Sequence, residues 1–347
     1  MPQSPVRRTT APGTGLAQSD TRRLVGIARL AAASPQVRER AEVEYFALES
    51  RSALNRESSG RLPFAWTINP YRGCEFGCKY CYARYTHEFM EMRDGRDFER
   101  KVFAKVNAPE LLRHELRQAK DKGLPIALGT ATDPYQPAEK QFEVTRRMLE
   151  ALAGFEGLDF SITTKSVLIL RDLDLLRLIA ERHRFGVHMT VTTLDALDAR
   201  LARLLEPKAP PPAQRLEAVR ALAEAGIHVG VNAMPILPGL TDDPQALEQL
   251  AQRAAAAGAM FLYGNLLFLK PSAMQQFMPF LEREFPHLVR RYRQLYARSA
   301  YLHGEYKERM AKLVAELRAR YGLDGAREEP SIANRQPQLA LPFGGRL

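Results

Sequence analysis

Short apolar runs alternate with amphipathic stretches of helical period through the middle of the chain, and this alternation constrains the fold more than any other feature. Runs at 65–68, 126–128, 160–163, 187–191, 229–234 and 261–268 read as strands. The segments 108–120, 139–152, 173–182, 195–205, 212–225 and 244–257 between them read as helices. Strands separated by helices must pair in parallel, because each helix carries the chain back across the sheet before the next strand begins. Gly123, Gly226 and Gly258 stand where helix C-terminal caps belong. About six such units predict an α/β fold, a partial (β/α)6 TIM-type barrel, with its chemistry at the C-terminal ends of the strands. A run at 102–106 does not fit the alternation and is expected to be accessory.

The barrel is expected over residues 43–272, inside a chain of 347. Residues 1–42 are rich in Pro, Ser, Thr, Ala and Arg without an apolar period, which predicts a disordered basic tail. After Met274 the sequence turns helical and basic, with Arg290, Arg291, Arg293 and Arg298 among Tyr292, Tyr296, Tyr301 and Tyr306. A helical extension is expected over 273–324 and a flexible tail over 325–347. The extension's arginines suit phosphates and its tyrosines suit stacking on bases, although Tyr292 and Tyr296, at i and i+4, suit packing on the barrel equally. No apolar run approaches the ~20 residues that span a bilayer. There is also no secretory signal, so a cytoplasmic protein without a membrane partner is expected. The net charge of +10 favours an acidic partner, and nucleic acid is the natural one.

All three cysteines fall within one stretch, Asn69-Pro-Tyr-Arg-Gly-Cys74-Glu-Phe-Gly-Cys78-Lys-Tyr80-Cys81-Tyr82, directly after the first barrel strand. An odd, clustered triplet is not a disulfide framework. Thiolates at this spacing can wrap one loop round a [4Fe–4S] cube, each on a different iron, leaving the fourth iron open. The alternatives are a zinc site with His87 or another group as fourth ligand, or three buried free cysteines.

The motif resembles that of the radical S-adenosylmethionine (SAM) superfamily, in which the residue before the last cysteine is aromatic and lies against the adenine; Tyr80 holds that place. Over roughly residues 62–270 the chain resembles the spore photoproduct lyase-like, or DNA repair photolyase-like, group. That resemblance implies that Thr130, Thr132 and Asp133 meet the methionine end of S-adenosyl-L-methionine and that Lys165 binds its carboxylate. Thr190 would contact the ribose or amine, and Asn232 would begin the segment that closes over SAM. Glu206-Pro-Lys-Ala-Pro and Arg215 match the group without an assigned role. A reductant such as flavodoxin or ferredoxin is implied as partner. Chemically the set is sensible, since SAM's carboxylate needs a cation and its amine needs short acceptors. Taken alone, Asp133 before Pro134 also reads as a turn, and Lys165 as a solvated strand end.

The resemblance implies a hydrogen-atom relay through Tyr80 and Tyr82. Spore photoproduct lyases also use a fourth cysteine, in the segment matching Gly129–Asp133, to quench the product radical. Here Thr130 stands in that segment, and a threonine O–H bond is too strong to replace a thiol. Thymine-dimer repair is therefore disfavoured against another hydrogen abstraction on nucleic acid. The alternatives are modification of RNA, a protein or a metabolite, or a non-enzymatic, metal-stabilised nucleic-acid-binding adaptor. Finally, Gln338, Leu339, Leu341 and Phe343 resemble the hexapeptide by which repair proteins dock on the bacterial sliding clamp.

Overall fold

The structure, a computed structural model, describes residues 24–40, 42–57, 62–118, 124–194 and 200–325. In chain order its strands are β1 (Gln36–Arg40), β2 (Val43–Leu48), β3 (Leu54–Arg56), β4 (Trp66–Ile68), β5 (Tyr71–Arg72) and β6 (Lys101–Lys105). They continue with β7 (Ile126–Leu128), β8 (Asp159–Thr164), β9 (Arg184–Thr190), β10 (Val229–Asn232) and β11 (Leu262–Tyr263). One sheet runs β11–β10–β9–β8–β7–β4–β3. Every pairing from β4 to β11 is parallel, and β3 closes the β4 edge antiparallel. This is the partial (β/α)6 barrel that the alternation predicts.

The helices Leu173–Arg182, Pro212–Glu224 and Pro244–Ala256 follow β8, β9 and β10 and bury Leu176, Val219 and Leu250 against the sheet. With Ile162, Val187 and Val231 these form one apolar layer, in which each fully buried aliphatic side chain contributes ~1.5–3 kcal/mol. Gly226 and Gly258 end two of these helices at φ +78° and +82°, as caps should.

Three expectations change. The segment 139–152 is two helices, Glu139–Phe142 and Val144–Ala153, broken at Glu143 with φ 49°. The break lets the Glu139 carboxylate accept from Thr145 N (2.9 Å) and Arg146 N (3.1 Å), capping the second helix. The run 261–268 shrinks to β11, and directly after it Val314 of helix Glu305–Tyr321 packs on Gly264, 2.8 Å from where a Cβ would stand. The disordered stretch expected over 1–42 contains ordered elements from Gly26 onward: helix Gly26–Ala33 packs Ala31 on Leu48, Met90 and Phe103, and β1 pairs with β2.

The accessory run becomes β6, in a second sheet ordered β1–β2–β6–β5. That sheet backs the cysteine loop, since β5 ends one residue before Gly73 and pairs Arg72 with Phe103. In the C-terminal extension, Tyr292 and Tyr296 are buried, so they pack rather than present themselves to a partner. No helix among the described residues is long and apolar enough to cross a membrane. Gly123, residues 195–199 and the Gln338–Phe343 peptide lie outside the described residues.

Candidate active site

The cysteine loop leaves β5 through two left-handed glycines, Gly73 (φ +83°) and Gly77 (φ +64°). At Gly73 a Cβ would lie 2.7 Å from the Lys101 carbonyl oxygen, so only glycine lets the loop approach β6 this closely. Cys74 N donates to Phe98 O (2.8 Å) and Lys79 N to Leu205 O (2.9 Å), tying the loop to both flanks of the barrel mouth. Cys74, Cys78 and Cys81 are free thiols, the first two buried. Burial pushes the Cys74 thiol well up and the Cys78 thiol to about 12, with Lys165 pulling the latter down. Thiols so placed become thiolates only when a metal supplies the countercharge, and iron does so. Three thiols carried on one loop are the donor set a [4Fe–4S] cube takes, one sulfur per iron, and they fit it.

Behind the loop lies a buried polar network. Tyr80 is buried; its hydroxyl donates to Glu206 and lies 3.0 Å from Thr192 Oγ1. Thr192 donates to Glu206 Oε1 at 2.7 Å, and Arg215 pairs with Glu206 Oε2 at 2.5 Å. Arg215 also donates to the carbonyls of Pro210 (2.7 Å) and Thr190 (3.1 Å), which fixes its fork. Burial pushes the Glu206 carboxyl up, but Arg215 and Lys165 outweigh it and hold the group below its ordinary value. Lys165 Nζ stands 3.9 Å from Glu206 Oε1 and 5.8 Å from the Tyr80 ring centroid. Burial opposes the Lys165 charge, yet Cys78 and Glu206 prevail and raise its pKa, so the site keeps a cation. A solvated strand end is therefore not its setting. Glu206, Arg215 and Thr192 form the charged centre of the site, although no role was assigned to them from sequence; the resemblance at Glu206 and Arg215 was the available signal.

The remaining predicted residues sort themselves by what they touch. Asp133 accepts from Thr164 Oγ1 (2.7 Å), Lys165 N (2.7 Å) and Tyr135 N (2.9 Å), clamping the loop after β7 to the end of β8. Thr132 Oγ1 donates to Gly73 O at 2.6 Å, directly behind Cys74. Thr130 Oγ1 accepts from Asn69 Nδ2 (3.2 Å), and the Thr130 carbonyl accepts from the Tyr82 hydroxyl. Thr190 and Asn232, both buried, face each other across β9 and β10. The structure thus brings Cys78, Tyr80 and Lys165 together, sets Tyr82 and Thr130 at the rim, and commits Thr132 and Asp133 to holding loops in place.

The family model of the radical SAM superfamily matches residues 68–251, from the end of β4 into helix Pro244–Ala256. The chain belongs to the radical SAM superfamily. An uncharacterized protein of Mycobacterium tuberculosis is 41% identical over 276 residues, 79% of this chain and 80% of its own length. One from Methanocaldococcus jannaschii is 28% identical over 246 residues, 71% of this chain and 85% of its own. Spore photoproduct lyase complexed with dinucleoside spore photoproduct has a similar fold, with TM-score 0.57 and 14% identity over 80% of this chain and 79% of that one. A spore photoproduct lyase structure with bound AdoMet and dinucleoside spore photoproduct gives TM-score 0.55 and 15% identity, over 80% and 78%. The fold is that of spore photoproduct lyase, and the cofactors of this radical SAM protein are a [4Fe–4S] cluster and SAM.

Proposed function

We propose that this radical SAM enzyme abstracts hydrogen from nucleic acid, in a DNA-repair-like reaction whose cluster is held by Cys74, Cys78 and Cys81. The observation that carries the site is the place of Lys165, a half-buried lysine at the end of β8 whose Nζ stands 3.9 Å from Glu206 Oε1 and 5.8 Å from the centroid of the Tyr80 ring. With its cofactors bound, the site supplies one electron to SAM, releasing methionine and a 5′-deoxyadenosyl radical.

The chain's own residues bind and orient. Lys165 meets the SAM carboxylate through a charge-assisted hydrogen bond. Tyr80, immobilised by Glu206 and Thr192, presents its ring to the adenine. Thr190 and Asn232, on adjacent strands, take the ribose and amine, and Thr130 and Asp133 border the methionine end. Tyr82, whose hydroxyl reaches the Thr130 carbonyl, is held at the rim beside the segment that carries the thiol in spore photoproduct lyases. Nucleic acid as substrate rests on the net charge of +10 and on a fold shared with a lyase that has been seen with a dinucleoside photoproduct.

The test is anaerobic reconstitution with iron and sulfide, followed by reduction in the presence of SAM. 5′-Deoxyadenosine should form, and Cys78→Ala should reduce it to background. Full SAM cleavage by Cys78→Ala would remove the cluster assignment. Crosslinking the loaded enzyme in cells should recover nucleic acid; recovery of protein or of nothing would remove the substrate assignment.

A further inference from the structure

We propose that the exposed rings of Tyr82 and Tyr301, with the half-buried Phe268 ring between them and the Lys270 ammonium beside them, form a stacking platform for an unpaired nucleobase of the substrate strand. This rests on nucleic acid being the substrate and adds where, and by which part of the nucleotide, it is held.

Tyr301 is 53% exposed and Tyr82 40% exposed, unusual values for large aromatic side chains that touch other rings. The Phe268 and Tyr301 rings stack at 4.3 Å with 17° between their planes, and Tyr82 stands 6.0 Å from Phe268. Self-burial does not explain the arrangement. The same C-terminal region has a second stacked pair, Tyr292 and Tyr296 at 5.9 Å and 19°, and both of those rings are buried. One pair fills the core, while the other leaves a ring in solvent.

The exposed pair is also held in place. Leu269 N donates to Ala300 O at 3.0 Å, and the Tyr296 hydroxyl donates to Leu267 O at 2.8 Å. These bonds fasten the segment bearing Tyr301 to the segment bearing Phe268, so the platform exists before any ligand arrives. The outer face of Tyr301, backed by Phe268, is a preformed flat apolar surface that matches the π-face every base offers, without reading its edge, with the tilted Tyr82 ring at its border.

Charge selects the occupant. Lys270 Nζ sits 3.7 Å from the Tyr85 ring centroid and 5.7 Å from that of Phe268, cradled by rings at the edge of the platform. A cation beside a stacking face suits a base and its phosphate together, and the chain's +10 charge draws a polyanion in. Location completes the case. Tyr82 directly follows Cys81, so a base seated on Tyr301 leaves its neighbouring nucleotide near the mouth beside the cluster loop.

The experiment uses the reconstituted full-length enzyme and two fluorescently labelled strands of equal length, oligothymidylate and its abasic counterpart. Both carry the same phosphates, and only one carries bases. The wild-type enzyme should prefer the base-bearing strand by roughly tenfold. Tyr301→Ala should erase that preference without changing affinity for the abasic strand, and Tyr301→Phe should restore it. A preference that persists in Tyr301→Ala overturns the platform. Wild-type binding that ignores the bases also overturns the platform but leaves the nucleic-acid reading standing, whereas no binding to either strand overturns both.

Discussion

At the scale of single residues, the site depends on how Glu206 is shared. Its carboxylate serves Arg215, Tyr80 and Thr192 at hydrogen-bond distance, while Lys165 stays at 3.9 Å. Lys165 is therefore the partner able to turn to another carboxylate without dismantling the network. Two substitutions separate these roles. Lys165→Ala should weaken SAM binding by ~1.5–3 kcal/mol, the worth of one hydrogen bond to a charged group, with iron content and melting temperature near wild type. Glu206→Gln should instead destabilise the fold by ~3–5 kcal/mol, because it strands the buried Arg215 guanidinium without its counterion. Equilibrium SAM binding and thermal unfolding on both variants check this. Unchanged SAM affinity in Lys165→Ala would remove the lysine from the binding site.

Among the elements, β6 contains a buried lysine in the accessory sheet. Burial, helped by Arg72, pushes the Lys105 ammonium down to about 7 against Glu115, from an ordinary value of 10.5. The unfolded chain then binds this proton more tightly than the folded one between about 7 and 10.5, so stability rises with pH across that window. Below about 7 the lysine's cost is complete. Lys105→Met should accordingly stabilise the protein, on the order of 3 kcal/mol at about pH 6, with the gain shrinking toward about pH 10. Denaturant unfolding at both pH values reads this directly, and an equal gain at both would contradict it. The barrel strands were legible in the sequence because burial on both faces makes them continuous apolar runs, as β7 at Ile126–Leu128 shows. The edge strand β1, Gln-Val-Arg-Glu-Arg with every residue exposed, carries no such signal and was taken for tail. The break at Glu143 is hidden because the capping carboxylate of Glu139 is itself held by Tyr71 and Arg171 from distant parts of the chain. The cysteine loop was legible because its donors are adjacent, whereas Tyr80 and Glu206 stand 126 positions apart.

For the whole molecule, the net charge of +10 shows which arginines can meet a phosphate only once their neighbours are known. Among Arg290, Arg291, Arg293 and Arg298 at the start of the extension, Arg293 lies 2.7 Å from Glu282 and Arg291 3.6 Å from Asp242. Exposed pairs like these add little stability, but each places a carboxylate where a phosphate would have to come. Arg290 and Arg298 are exposed and pair with no carboxylate among the described residues. Counterion release then gives a definite expectation. Three phosphate contacts on a single strand, from Arg290, Arg298 and Lys270, should give a slope of about −2.1 in log affinity against log salt. Replacing Arg290 or Arg298 with Ala should each reduce the slope by ~0.7, whereas Arg293→Ala should leave it nearly unchanged. Tyr301→Ala, which acts on a base rather than a phosphate, should lower affinity at every salt concentration and keep the wild-type slope. The measurement is one titration series per variant with the same labelled oligothymidylate. Equal loss of slope in Arg290→Ala and Arg293→Ala would show that the internal carboxylates do not decide which arginines the strand reaches. A flat wild-type response would leave the basic charge without a nucleic-acid role.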